Sequence, residues 1–151
     1  MAKSGKGKGK PPEPESQPEP DSRARTVFAR DNRFDKELAK LGPVNIAKVA
    51  AAVQRFQQEW AASKTDDDIL PGFDFKQLSV SKGQYRVCQI EATRDFRATA
   101  TFLVRRGRVY WLHVWKKSAM NNRSDIELSK QRAKDVWESI QARDKGKGGR
   151  A

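Results

Sequence analysis

Apolar residues recur along this chain with two different periods, and the change falls at Pro71-Gly72. Before it the repeat is helical. Phe34, Leu38 and Leu41 sit at i, i+4 and i+7, one face of a helix. Asp31 is placed to cap that helix near Asn32. Gly42-Pro43 stops it and opens the next, because proline suits a first helical turn. Ile46, Val49, Ala50, Val53, Phe56 and Trp60 make a second stripe. The pattern predicts a helix hairpin with one apolar side. Arg25 to Arg30 precedes it as a short strand.

After Pro71-Gly72 the alternation has period 2. Strands are expected near Asp74–Val80, Tyr85–Glu91, Arg97–Val104 and Arg108–Trp115. Arg105-Arg106-Gly107 makes the tight turn between the last two. A closing helix is expected from Ser124, with Ser124 and Glu127 as a capping box. Ile126, Ala133, Val136, Trp137 and Ile140 supply its buried stripe. The expected fold class is α+β: a small antiparallel sheet, an N-terminal helix hairpin and a C-terminal helix, with the helices on one sheet face. Residues 25–141 form the expected domain. The Lys/Gly and Pro/Glu segment 1–24 and the basic segment 142–151 are expected to be disordered tails, since neither can bury enough apolar surface.

Composition narrows the class of partner. Lys+Arg is 31 against 19 Asp+Glu, a formal charge of +12. Residues 26–81 balance 8 basic against 8 acidic, whereas 82–134 carry 13 against 4. The excess therefore belongs to the strand and helix half, and a strongly basic small protein is expected to meet nucleic acid, an anionic partner or a membrane surface. Cys88 is the only cysteine, so no intrachain disulfide framework or Cys-based zinc site is available. It reads as a small buried hydrophobe. No stretch approaches a membrane span and no secretory signal is evident, so a cytoplasmic protein is expected. Asp66-Asp67-Asp68 could attract a divalent cation, but no convergent ligands accompany it, and it reads as a solvated loop.

Candidate chemistry gathers on the third and fourth sheet strands. Strict alternation puts Phe96, Ala98, Ala100, Phe102 and Val104 on one face and Arg97, Thr99, Thr101 and Leu103 on the other. In the next strand Tyr110, Leu112 and Val114 share one face, and Trp111, His113, Trp115 and Lys117 the other. If the polar faces align, one concave side carries Arg97, His113, two tryptophans and a lysine. Cations hold phosphates and rings stack on bases, as single-stranded RNA requires. Arg86, one strand earlier, is a further candidate RNA contact. The alternative for Trp111 and Trp115 is core packing. For His113, the lone histidine, it is a structural hydrogen bond. No P-loop, zincin motif, nucleophile elbow or dinucleotide fingerprint is present.

The segment YRVCQIEATRDFRATATFLVRRGRVYWLHVWKKSAMNNRSDIELSKQRAKDVWESI resembles the RelE/ParE toxin superfamily. It is most similar to its phage-derived, HigB-like subfamily. The matching pieces are Phe96-Arg97, then His113-Val114-Trp115-Lys116-Lys117, then Asp125-Ile126-Glu127-Leu128 with Arg132. The resemblance covers about residues 25–140. It implies the toxin component of a type II toxin–antitoxin system: a metal-independent endoribonuclease that cleaves mRNA, usually on the ribosome. It needs no cofactor, and a helix-turn-helix antitoxin neutralises it. Carried over by motif position, Arg97 would clamp the scissile phosphate. Lys116 and Lys117 would supply charge and proton transfer, His113 would assist, and Arg123 would hold a flanking phosphate. The chain departs from the superfamily in having no tyrosine or histidine between Lys116 and Ala151. Two alternatives stay open on the same fold: a non-catalytic nucleic-acid-binding module, and a ParE-like inhibitor of DNA gyrase.

Overall fold

The structure, a computed structural model, describes residues 23–103, 105–118 and 122–149. The elements run β1 (Val27–Arg30), α1 (Asn32–Ala39), α2 (Pro43–Ala62), a 3-10 turn (Asp66–Asp68), α3 (Leu70–Phe73), β2 (Lys76–Ser81), β3 (Tyr85–Glu91), β4 (Phe96–Leu103), β5 (Arg108–Lys116) and α4 (Arg123–Gly149). The mixed α+β class is as expected, with five strands in the order β1-β5-β4-β3-β2. The sheet is not wholly antiparallel. β1 runs parallel to β5, with Val27 opposite Arg108 and Arg30 opposite Trp111. The helix hairpin supplies the long connection that a parallel pair needs.

Local chemistry sets the boundaries. Asp31 caps α1 by accepting a hydrogen bond from the Arg33 amide at 2.8 Å. Gly42 takes a positive φ of 92° before Pro43 opens α2. Gly107, at φ 62°, closes the β4–β5 turn, where a side chain would be strained. Val104, assigned to the third strand by alternation, lies outside the described residues, as do residues 1–22 of the N-terminal tail.

The helices cover both faces of the sheet, not one. Phe34 of α1 and Val49, Ala52, Val53, Phe56 and Trp60 of α2 pack with Phe73 and Phe75 against Cys88, Ile90, Phe96, Ala98, Ala100, Phe102, Val109, Trp111 and Val114. The alanines let α2 approach the sheet closely. On the opposite face Ala133 of α4 joins Val87 and Leu112, with Leu78, Tyr85 and Val136 beside them. The Thr99 hydroxyl meets the Ser129 hydroxyl at 2.7 Å on that same side. A polar strand face thus meets a polar helix stripe.

Two tail boundaries also change. Arg23 is buried, donating to Ser63 at 2.9 Å and Asp66 at 3.0 Å. The folded unit therefore begins inside the segment read as a tail. At the other end α4 begins at Arg123, which places Ser124 inside the first turn, and it continues through Gly149. Residues 142–149 are helical, whereas 150–151 lie outside the described residues. Among the described residues no helix is long and apolar enough to cross a membrane.

Candidate functional site

A β-bulge decides which side chains can meet a ligand. Thr99 pairs with His113, but the next residue, Ala100, pairs with Trp111, so Leu112 is the extra residue of β5. An insertion of one residue reverses the facing of everything on its far side. Trp111 therefore points into the hairpin core at 1% exposure, with its Nε1 donating to Gln57 at 3.0 Å. It stacks on no base; it fills the core between Phe28, Phe34 and Phe56. Leu112, His113 and Trp115 all fall on the α4 side.

Trp115 is also buried. Its ring stacks on His113 with centroids 5.0 Å apart, and its Nε1 donates to Asn122 at 3.1 Å. It closes over the histidine and offers no open face to a base. The expectation of base stacking at Trp111 and Trp115 is thereby corrected in favour of packing.

His113 belongs to a polar cluster that joins α1, β5 and α4. Its Nδ1 lies 2.9 Å from Glu37 Oε1 and its Nε2 lies 2.8 Å from Asp125 Oδ1. Both ring nitrogens are engaged, so neither faces a substrate. Arg132 completes the cluster. Its Nη1 donates to Glu37 Oε1 at 2.9 Å and to the Leu112 carbonyl at 2.8 Å, and its Nη2 reaches Glu37 Oε2 at 2.8 Å. Pairing of β1 with β5 ends at Trp111, and the arginine satisfies the next carbonyl of β5. Burial pushes the Glu37 carboxyl up, but hydrogen bonds from His113 and Arg132 outweigh this and hold it at about 2. Glu37 and Ser129 carried no role in the sequence reading. The one available signal for Glu37 was its place three residues after Phe34, on the buried face of α1.

Arg97 sits opposite Trp115 on β4 and is 8% exposed. Its Nη1 is 3.1 Å from the Thr93 carbonyl and 3.3 Å from those of Arg94 and Phe96. Its Nη2 is 3.8 Å from Glu91. The guanidinium braces the β3–β4 loop and does not project as an open phosphate clamp.

Arg86 is on the hairpin face, opposite Phe102. It donates to both oxygens of Asp66, at 2.6 and 3.1 Å, and lies over Phe102. Burial would raise the Asp66 carboxyl, but Arg86 and Arg23 outweigh it and hold it below the usual range. Asp66 is thus a bridge between two arginines and not part of a solvated loop. Among the described residues no group of His, Cys, Asp and Glu could hold a metal ion. Arg86 faces away from the α4 side, so it does not join the other candidates.

The lysine pair is different. Lys116 and Lys117 are exposed at the end of β5. Lys116 pairs with Phe96, and the Lys117 amide donates to the Asp95 carbonyl at 2.7 Å. Arg94, exposed, is the preceding residue of that loop. Arg123, also exposed, opens α4 beside it, because Asn122 accepts from the Ser118 amide at 3.0 Å and from Trp115. Arg94, Lys116, Lys117 and Arg123 therefore share one end of the sheet, with Asp95 among them. Arg97 lies beneath this rim as its support.

No protein-family model matches the chain, and no curated protein matches it. Among solved structures it is similar to the archaeal RelE–RelB complex from Pyrococcus horikoshii OT3, at a TM-score of 0.49 and 11% identity, over 62% of this chain and 97% of that one. At that level the likeness carries no argument about activity.

Proposed function

We propose that the protein is the toxin of a toxin–antitoxin pair, of the RelE/HigB kind, and that it acts on mRNA through the rim at the end of β5. The observation that carries this reading is the exposure of Lys116 and Lys117 beside Arg94 and Arg123. Four exposed cations at one edge suit a phosphodiester backbone. In this reading a ribose 2′-oxygen attacks the adjacent phosphorus as the P–O5′ bond breaks. The proton lost from the 2′-hydroxyl is matched by one delivered to the 5′-oxygen. Lys116 and Lys117 stabilise the extra negative charge of the transition state and move the protons, without a metal. Arg123 holds a flanking phosphate. His113 and Arg97 act through the rim: one fixes α1 and α4 to β5, the other orders residues 93–95. The protein works in the cytoplasm, and its partner is a helix-turn-helix antitoxin.

A second reading is favoured by a specific observation. Both nitrogens of the only histidine are occupied by carboxylates, and Arg97 is spent on backbone carbonyls. A module that binds RNA without cutting it has the same rim. Mapping 5′ ends of mRNA incubated with the purified protein, with and without ribosomes, separates the two. New ends that vanish in Lys116→Ala/Lys117→Ala support cleavage. Binding with no new ends supports the second reading, and neither binding nor new ends removes both. Inhibition of gyrase supercoiling without RNA binding would assign the ParE-like function instead.

A further inference from the structure

A cleft of about 400 Å³ opens next to the rim, between α2, α3 and the β3–β4 loop. Its walls include Arg55, Phe73, Asp74, Glu91, Thr93 and Arg94. We propose, resting on the RNA reading above, that this cleft is a nucleobase pocket that takes guanine next to the phosphate held by the lysine rim.

Four observations lead there. First, the cleft and the rim share Arg94, and Lys116 lies on the same sheet face, because its partner Phe96 packs in the hairpin-side core. A base whose phosphate sits on Lys116 is directed to this side. Second, the volume lies in the range of small-molecule sites and admits a planar ring with room for water. Third, Arg55 and Arg94 both line it, and the Arg55 guanidinium is 4.9 Å from the Phe73 ring centroid. Packing on Phe73 restrains that guanidinium plane, and such planes stack on unpaired bases.

The fourth observation concerns the base. Asp74 offers a carboxylate that is held only loosely, 4.0 Å from Lys76, whereas Glu91, the cross-strand partner of Arg97, directs its carboxylate to the α4 face. The Asp74 side chain is 65% exposed, so acceptor capacity remains. Guanine presents two adjacent donors, N1–H and N2–H, that match one carboxylate. Uracil presents a single N–H between two carbonyls, which a carboxylate repels. Adenine and cytosine pair an amino group with an acceptor. The guanine O6 and N7 acceptors suit an arginine on the other wall.

The test uses the full chain and 2′-O-methyl RNA hexamers, which bind but lack the attacking hydroxyl. Fluorescence anisotropy compares a uridine hexamer with hexamers carrying one central guanine, adenine, cytosine or hypoxanthine. The guanine hexamer should bind about tenfold tighter than the uridine one, the scale of a charged hydrogen bond. Hypoxanthine, lacking the N2 amino group, should lose most of that gain. Asp74→Asn should reduce the guanine preference about as far as hypoxanthine does. Asn suits the left-handed backbone at position 74, where φ is 49°, so Asp74→Asn removes the carboxylate without straining the turn. Equal binding of all hexamers, or a preference for another base, overturns the pocket and leaves the RNA reading standing. No binding by any hexamer overturns both.

Discussion

Glu37 of α1 and Arg132 of α4 face each other across β5 in a two-pronged pair, Oε1 to Nη1 at 2.9 Å and Oε2 to Nη2 at 2.8 Å. The arginine side chain is 9% exposed and the glutamate 25%. The two helices lie far apart in sequence, and this pair holds both against the bulge of β5. Removing one partner leaves a charge in a partly dry site. Glu37→Ala should cost about 3 kcal/mol of stability. A double-mutant cycle with Arg132→Ala should show a coupling of about 2 kcal/mol by urea unfolding. Additive effects would mean that the pair does not act as a unit.

The same carboxylate makes stability depend on pH. Its folded value is about 2 against an ordinary 4.5. Below the ordinary value the unfolded chain binds the proton more readily than the native state. The contribution is therefore complete above 4.5 and is lost as pH falls toward 2. The urea midpoint of the wild type should fall between about pH 6 and about pH 3, and Glu37→Gln should fall less steeply. Asp31 and Asp66 are also held below their usual range, so some slope remains in the variant.

Trp111 separates packing from recognition. It is 1% exposed in the hairpin core. Trp111→Ala should destabilise by about 3–5 kcal/mol. Trp111→Phe should destabilise less and leave RNA affinity unchanged when measured at a temperature where the variant is folded. A loss of affinity with the fold intact would return Trp111 to the interface.

Arg97 is separable in the same way. As a brace on the Thr93, Arg94 and Phe96 carbonyls, Arg97→Ala should lower the melting temperature and leave the salt dependence of RNA binding unaltered. A phosphate contact would reduce the slope of log K against log salt by about 0.7 on a single strand. The two outcomes are read from one set of titrations.

Much of the framework was legible in local sequence. Tyr85–Glu91 is a strand to the residue, because Tyr85, Val87 and Ile90 favour extended backbone and turn signals flank the run. Asp31 and Gly42-Pro43 mark α1 and α2 because caps and prolines act locally. The parallel pairing of β1 with β5 was not legible, since four residues carry no register of their own. The site was half legible. Lys116 and Lys117 are exposed at a strand end and Arg123 at a helix start, positions that local pattern alone indicates. Trp111 and Leu112 changed faces because a bulge has no signature in an alternating run. Arg97 turned inward because its partners are carbonyls, which sequence does not display. Lys145, Gly146 and Lys147 read as tail, but the helix nucleated upstream runs through them.

The central claim is that the ammonium groups at the end of β5 engage RNA phosphates. The direct measurement is the salt dependence of binding to a 2′-O-methyl RNA oligomer, for the wild type and Lys116→Ala/Lys117→Ala. Two lost contacts on a single strand should lower the slope by about 1.4 and weaken binding at every salt concentration. The melting temperature should stay unchanged, because both side chains are exposed. Equal slopes and equal affinities for the two proteins would contradict the claim.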